Sequence, residues 1–188
     1  MTRMPILLAV VGLAGTGKSE VTGYIKERYG YQAIYFGGYV LEEIKTRNLE
    51  VNSQNERLVR EDLRRQHGMD VIARLSAEDI RRGLDGGHNI VIDGLYSYSE
   101  YRFLKELAPG RFYTLAVHAY KEMRYERLGR RSYRPLTPAE IDDRDMFELA
   151  NLEKCPPIVL ADYHVVNEGS IGDLRRRIDA VFDLLEGG

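Results

Sequence analysis

The residues best suited to chemistry lie near the start of the chain. Gly12-Leu-Ala-Gly-Thr-Gly17-Lys18-Ser19 fills every fixed position of G-x-x-x-x-G-K-[ST], the Walker A pattern. Glycines at this spacing let backbone N–H groups turn toward an anion where side chains would obstruct. Gly12, Ala14, Gly15, Thr16 and Gly17 are therefore expected to cradle the polyphosphate of ATP. Lys18 would reach its outer phosphates, and the Ser19 hydroxyl would ligate Mg²⁺. A helix begun at this point would aim its positive end at the same anion. Such a site needs a second acid to hold the hydrated metal or orient an attacking group. Asn89-Ile-Val-Ile-Asp93-Gly94 supplies it: three apolar residues, then Asp93 where a strand would end. Ser19 and Asp93 are the candidate metal pair.

A loop of this kind serves kinases, hydrolases and switches alike, and a cationic lid marks the kinase. Residues 124–134 carry Arg124, Arg127, Arg130, Arg131 and Arg134, with Glu126 the sole acid. Arg124, Arg127 and Arg131 stand at i, i+3 and i+7 and are expected on one helix face. A break follows at Pro135, and Arg144 lies beyond it. The lid is placed at about residues 127–138.

These residues need a scaffold, and the sequence outlines one. Ile6–Val11, Gln32–Phe36, Asn89–Asp93, Phe112–His118 and Tyr163–Asn167 read as strands. Ile-Leu-Leu-Ala-Val-Val is apolar at successive positions, as in parallel strands covered on both faces. Between them lie helices at 17–28, across 39–85, at 98–108, across 120–152 and at 170–186. Ser53-Gln-Asn-Glu56, Ser97-Tyr-Ser-Glu100 and Thr137-Pro-Ala-Glu140 fit the capping box, and Ser170-Ile-Gly-Asp173 is a fourth helix start. The alternation predicts an α/β fold with five strands in a mostly parallel, doubly wound sheet. The helical insert at about 39–85 exceeds what a crossover needs and is expected to grip the acceptor.

The whole composition fits one domain over residues 1–188. Net charge is −2, from 27 basic and 29 acidic residues, which argues against nucleic acid as the main partner. The lone Cys155 cannot form an internal disulfide, and the apolar run Ile6–Val11 is too short to span a membrane. A cytoplasmic protein with no membrane partner is expected. His67, His88, His118 and His164 show no metal-ligand spacing.

At this point the chain resembles the small P-loop nucleotide kinases, in particular the adenylate-kinase-related and dephospho-CoA-kinase-like branch. The resemblance runs along essentially the whole sequence. It is carried by Gly12–Ser19, Ile92-Asp93-Gly94, the Arg127–Arg134 segment, Arg144-Asp145, and Ala161-Asp162-Tyr163 with Asn167-Glu168-Gly169-Ser170. It implies a three-layer α/β/α P-loop kinase fold with a helical acceptor-binding insert and an Arg-rich lid. It implies that lid arginines contact the ATP phosphates, so that Lys18, Asp93, Arg127 and Arg131 form the catalytic set. It also implies that Asn167 and Gly169 lie beside the adenine. The family's pattern departs at two positions. Leu41 and Tyr96 stand where arginines would clamp an acceptor phosphate. Gly37, Tyr39, Arg64 and Tyr96 are then the candidate substrate residues, with Arg57 and Arg60 sharing the Arg64 helix face. Tyr35, Tyr98 and Tyr101 could stack on a base.

The reading that follows is an ATP-dependent, Mg²⁺-assisted phosphotransferase acting on a small nucleotide-like acceptor. Two others stay open: a nucleotide-dependent switch or binding module without acceptor chemistry, and arginines that bind RNA.

Overall fold

Each residue of Leu7–Val11 (β1) is at most 1% exposed. Leu7, Ala9 and Val11 enter one apolar cluster, while Leu8 and Val10 enter another. Alternate side chains of a strand point to opposite faces, so a run apolar at every position needs a layer on each side. The computed structural model, which describes residues 4–132 and 135–187, supplies both layers.

The sheet contains β1, β2 (Gln32–Tyr35), β3 (Ile90–Asp93), β4 (Phe112–His118) and β5 (Tyr163–Val166), in spatial order β2-β3-β1-β4-β5. Among the described residues every pairing is parallel, which sharpens the expectation of a mostly parallel sheet. On one face lie α1 (Lys18–Tyr29) and α10 (Ile171–Gly187), through Val21, Ile25, Leu174, Ile178 and Phe182. On the other lie α2 (Phe36–Thr46), α3 (Ser53–His67), α4 (Val71–Leu75), α5 (Ala77–Asp85) and α6 (Tyr98–Leu107). Burying each Leu, Ile or Val of these faces contributes roughly 1.5–3 kcal/mol. The chain continues through α7 (Lys121–Gly129), α8 (Pro138–Asn151) and α9 (Cys155–Val159). Among the described residues no helix is long and apolar enough to cross a membrane. In an open parallel sheet the strands' carboxyl ends form the ligand edge where the order reverses. Here that edge lies beyond β1, flanked by β3 and β4.

The helix starts follow the local signals, with one shift. Ser97 and Thr137 each accept the N3 backbone N–H while Glu100 and Glu140 reach back, and Pro138 opens α8. The Ser170 hydroxyl accepts the Asp173 N–H, and Asp173 accepts in return. At α3 the cap is Asn52, one residue earlier than the expected Ser53, and its Oδ1 accepts the Asn55 N–H at 2.9 Å.

Three boundaries need correction. The insert opens at Phe36 rather than about residue 39, because Phe36, Val40 and Ile44 already face the core at helical spacing. Its helices share one apolar cluster with β1 and β3. The helix carrying Arg124 and Arg127 ends at Gly129, with Arg130 as C-cap, so Arg131 is not on their helix face. Of the expected lid, residues 133 and 134 lie outside the described residues. The third boundary lies at Cys155, where the short helix α9 opens beyond the expected helical stretch 120–152, with Pro156 and Pro157 in its first turn.

Candidate active site

The loop between β1 and α1 is held by its carbonyls. Leu13 O accepts from the Thr16 hydroxyl at 3.0 Å and from Lys18 Nζ at 2.9 Å. Ala14 O accepts from Arg124 Nε at 2.7 Å, and Gly15 O from Arg127 Nη1 at 3.4 Å. Thr16 O accepts from Asn167 Nδ2 at 2.8 Å. Four successive carbonyls thus have side-chain donors, and the peptide planes are fixed with them. Such pinned planes preorganise the intervening N–H groups for an anion. The helix that follows has Gly17 as N-cap with no side-chain cap, which leaves its first-turn N–H groups open to a ligand.

Two glycines are required by space as well as by φ. Gly12 has φ 143°, and a Cβ there would sit 2.4 Å from Val117 O. Gly17 has φ 98°, and a Cβ there would meet Asn167 Nδ2 at 2.3 Å. Both positions carry the contact between the loop and the β4–β5 end of the sheet.

Lys18 is half-buried and stands among Lys154, Glu148, Asp93 and Arg144. Burial and then Lys154 push its ammonium down to about 7. Ser19 follows, exposed at the first turn. Asp93 ends β3 opposite Val10 of β1 and Tyr35 of β2. Burial raises its carboxyl above the usual range, and Lys18 opposes the shift. The loop, Lys18, Ser19 and Asp93 therefore converge at one edge of the sheet.

Arg127 and Arg131 occupy different places. Arg127 Nη2 donates to Asn167 O at 2.9 Å, so this guanidinium joins the phosphate loop to the segment after β5. Asn167 is buried beside it, with Gly169 exposed further on. Arg131 lies near Arg144 and Tyr96; burial, then Arg144, lowers its pKa. Arg124 is 6% exposed and bound to Asp145 through Nη2, with distances of 2.7 and 2.5 Å to the two carboxylate oxygens. It is a brace between α7, α8 and the loop.

The expected acceptor residues separate in the same way. Tyr96 and Tyr35 flank Asp93 at the sheet edge. The ring of Tyr35 covers Gly37, where a Cβ would lie 2.3 Å from the phenol oxygen. Tyr39 is turned away, its hydroxyl donating to Asp79 of α5 at 2.6 Å, so the structure does not bring it to this cleft. Arg64 is 6% exposed and lies 3.4 Å from Glu100. Glu100 also accepts the Tyr96 and Ser97 N–H groups at 2.8 and 3.0 Å. Arg64 therefore fixes the Tyr96 backbone through Glu100 instead of lining the cleft. Leu41 is half-buried against the core, while Tyr98 stacks on Tyr101 with centroids 6.0 Å apart. His118 Nε2 lies 3.0 Å from His164 Nδ1, and the thiol of Cys155 is exposed and free.

A buried ion cluster completes the site and is hidden from spacing arguments. Glu148 accepts from Arg144 Nε at 2.9 Å and from Lys154 Nζ. Burial pushes the Glu148 carboxyl up, but Lys154 and Arg144 together hold it below the usual range. The Lys154 ammonium also lies 4.3 Å from the Tyr96 ring centroid. Glu148 and Arg144 at i, i+4 could be noticed on a helix. Lys154 sits beyond the helix end, where no periodicity applies.

Comparison with known proteins gives a consistent picture. A family model described as an AAA domain, AAA_18, matches residues 8–166. A UPF0200 protein of Thermococcus kodakarensis is 31% identical over 181 residues, covering 95% of this chain and 97% of that protein. A shikimate kinase structure from Bacteroides thetaiotaomicron superposes with a TM-score of 0.61 at 15% identity, covering 96% of this chain and 98% of that one. A gluconokinase structure from Sinorhizobium meliloti gives 0.58 at 18% identity, covering 97% and 94%. The fold is that of the P-loop kinases.

Proposed function

We propose that this chain, which belongs to the UPF0200 family and to the AAA domain family, is a cytoplasmic ATP-dependent phosphotransferase acting on a small nucleotide-like acceptor. The observation that carries the reading is the convergence at one sheet edge of the pinned loop, Lys18 and Asp93, with Tyr35 and Tyr96 beside them. The loop amides and the open start of α1 would hold the phosphates. Lys18, neutralised in part by its surroundings, would regain its charge against them.

Ser19 in the first turn of α1 and Asp93 at the end of β3 offer hard oxygen donors of the kind Mg²⁺ takes. When bound, the ion would screen charge on the phosphates. Where the acceptor presents a hydroxyl, the half-buried Asp93 carboxylate would take its proton. The hydroxyl oxygen then forms the new P–O bond as the bond to ADP breaks. Arg131, close to Arg144 and Tyr96, would meet charge on the transferring group. Arg127 would act on the nucleotide side, through Asn167 and the loop.

The rival reading, a nucleotide-dependent switch or binding module, is favoured by Leu41, whose half-buried side chain offers no clamp. A panel of nucleosides, nucleotides and dephospho-CoA, incubated with ATP and Mg²⁺, separates the two. Acceptor-dependent ADP release with a phosphorylated product is expected. Intact ATP binding with no transfer to any acceptor would overturn the phosphotransferase reading.

A further inference from the structure

A cavity of about 440 Å³ opens between α6 and the connection from α9 to β5, and none of its residues belongs to the phosphate loop or to the Asp93 edge. That volume lies in the range of small-molecule sites. Tyr98 and Tyr101 of α6 wall one side with near-parallel rings, 16° apart in plane and 6.0 Å between centroids. Leu160, the C-cap of α9, belongs to the other side and is 52% exposed. Both tyrosines are rings able to stack on a base, and the fold gives them to this cavity rather than to the cleft at Asp93.

The polar groups of the cavity carry both signs and are left open. Arg102 and Lys105, at i and i+3 on α6, are exposed lining residues. Among the described residues Arg102 has no hydrogen-bond or ion-pair partner, and Lys105 has only the Tyr101 ring, 5.8 Å from Nζ to the centroid. Glu106 stands at i+4 from Arg102, yet the two do not pair. The same spacing is used elsewhere, by Arg57 with Glu61, Glu78 with Arg82 and Glu126 with Arg130. Asp162 accepts the N–H and hydroxyl of Thr114 on Oδ2 alone, at 2.7 and 2.9 Å, which fixes its carboxylate and leaves Oδ1 uncommitted. A bare anion would meet the two cations but also the two carboxylates. A molecule with a flat ring, hydroxyls and an anionic end satisfies every group: the ring lies on the tyrosines, the hydroxyls donate to Asp162 and Glu106, and the anion accepts from Arg102 and Lys105.

We propose that the cavity between α6 and the α9–β5 connection is a second nucleotide site, which takes a nucleoside monophosphate apart from the phosphate loop. It shares no residue with the phosphotransferase reading and stands or falls independently of it.

The full chain is first saturated with Mg²⁺ and the non-hydrolysable analogue AMPPNP, which keeps AMP out of the Walker A loop. AMP, adenosine and sodium phosphate are then titrated separately by calorimetry. AMP is expected to bind saturably, and more tightly than either of its parts. Arg102→Gln and Lys105→Gln, both at exposed positions, should each weaken AMP by about tenfold, as loss of a charge-assisted hydrogen bond would. Tyr98→Leu keeps an apolar side chain at a half-buried position and should weaken AMP by about fivefold, as loss of base stacking would. Arg81→Gln, exposed on α5, should leave it unchanged. Absence of AMP binding overturns the site. AMP bound equally by wild type, Arg102→Gln and Lys105→Gln lies elsewhere, the cleft at Asp93 included, and also overturns it. Phosphate as tight as AMP, or adenosine as tight as AMP, overturns the nucleoside monophosphate as its ligand.

Discussion

Replacing Glu148 by glutamine removes one negative charge from the interior while keeping the side chain's shape. The Lys154 side chain is 2% exposed and that of Glu148 5%, so neither charge can be rescued by water in place. After Glu148→Gln the Lys154 ammonium keeps the Tyr96 ring, at 4.3 Å, and the field of the Asp145 carboxylate as favourable neighbours, but no ion-pair partner among the described residues. Breaking a buried ion pair from one side costs about 3–5 kcal/mol, whereas exchanging both partners for neutral groups of similar volume is often close to neutral. Glu148→Gln is therefore expected to lose about 3–5 kcal/mol of unfolding free energy at pH 7, and Glu148→Gln/Lys154→Met about 1 kcal/mol or less. The sign of the pH dependence follows from Lys154, whose folded pKa lies below its unfolded value because of burial. An ammonium disfavoured in the folded state costs most where it must stay protonated, at low pH, and the cost is relieved as pH rises toward the unfolded value near 10.5. The deficit of the single variant should shrink between pH 7 and pH 9.5. Urea unfolding followed by far-UV circular dichroism at both pH values measures all three chains. A single-variant loss below about 1 kcal/mol, or a double variant as unstable as the single one, would refute the claim that this pair is a buried, mutually compensating unit.

Lys18 gives a prediction of opposite use. Its free pKa of about 7 must rise when phosphates arrive, so ATP binding should take up protons above pH 7 and weaken as pH climbs, by at most about tenfold per unit. Calorimetry at pH 8 in buffers of different ionisation enthalpy reads the uptake directly, and a buffer-independent enthalpy would contradict the assigned pKa. Gly12→Ala should destabilise the fold by about 2–5 kcal/mol, since the new Cβ combines φ 143° with an approach of 2.4 Å to Val117 O. Thermal unfolding checks it, and a variant as stable as wild type would mean that the loop does not pass β4 as closely as described.

Much of this molecule could be read before any coordinate. The Walker A loop, the buried parallel strands and the helix starts at Ser97, Thr137 and Ser170 all rest on spacing within a few residues, where backbone geometry leaves few alternatives. The misplacements occur where two local choices are nearly equal. Asn52 and Ser53 can both cap α3, and the core contacts of Phe36 settle a helix start that Gly37-Gly38 would obscure. Arg131 left the face of Arg124 and Arg127 because α7 stops at Gly129, a boundary no charge pattern announces.

The sequence alone determined that a phosphate-binding loop joins the first strand to a helix, and that an acidic residue ends a neighbouring strand, because both follow from residue type and short spacing. Only the tertiary structure decided which partner each side chain meets. Arg64 went to Glu100, Tyr39 to Asp79 and Arg127 to Asn167. Side chains on one helix face share a direction but not a destination. What each one reaches depends on elements far along the chain, whose packing is governed by burial of the apolar faces rather than by the charges themselves.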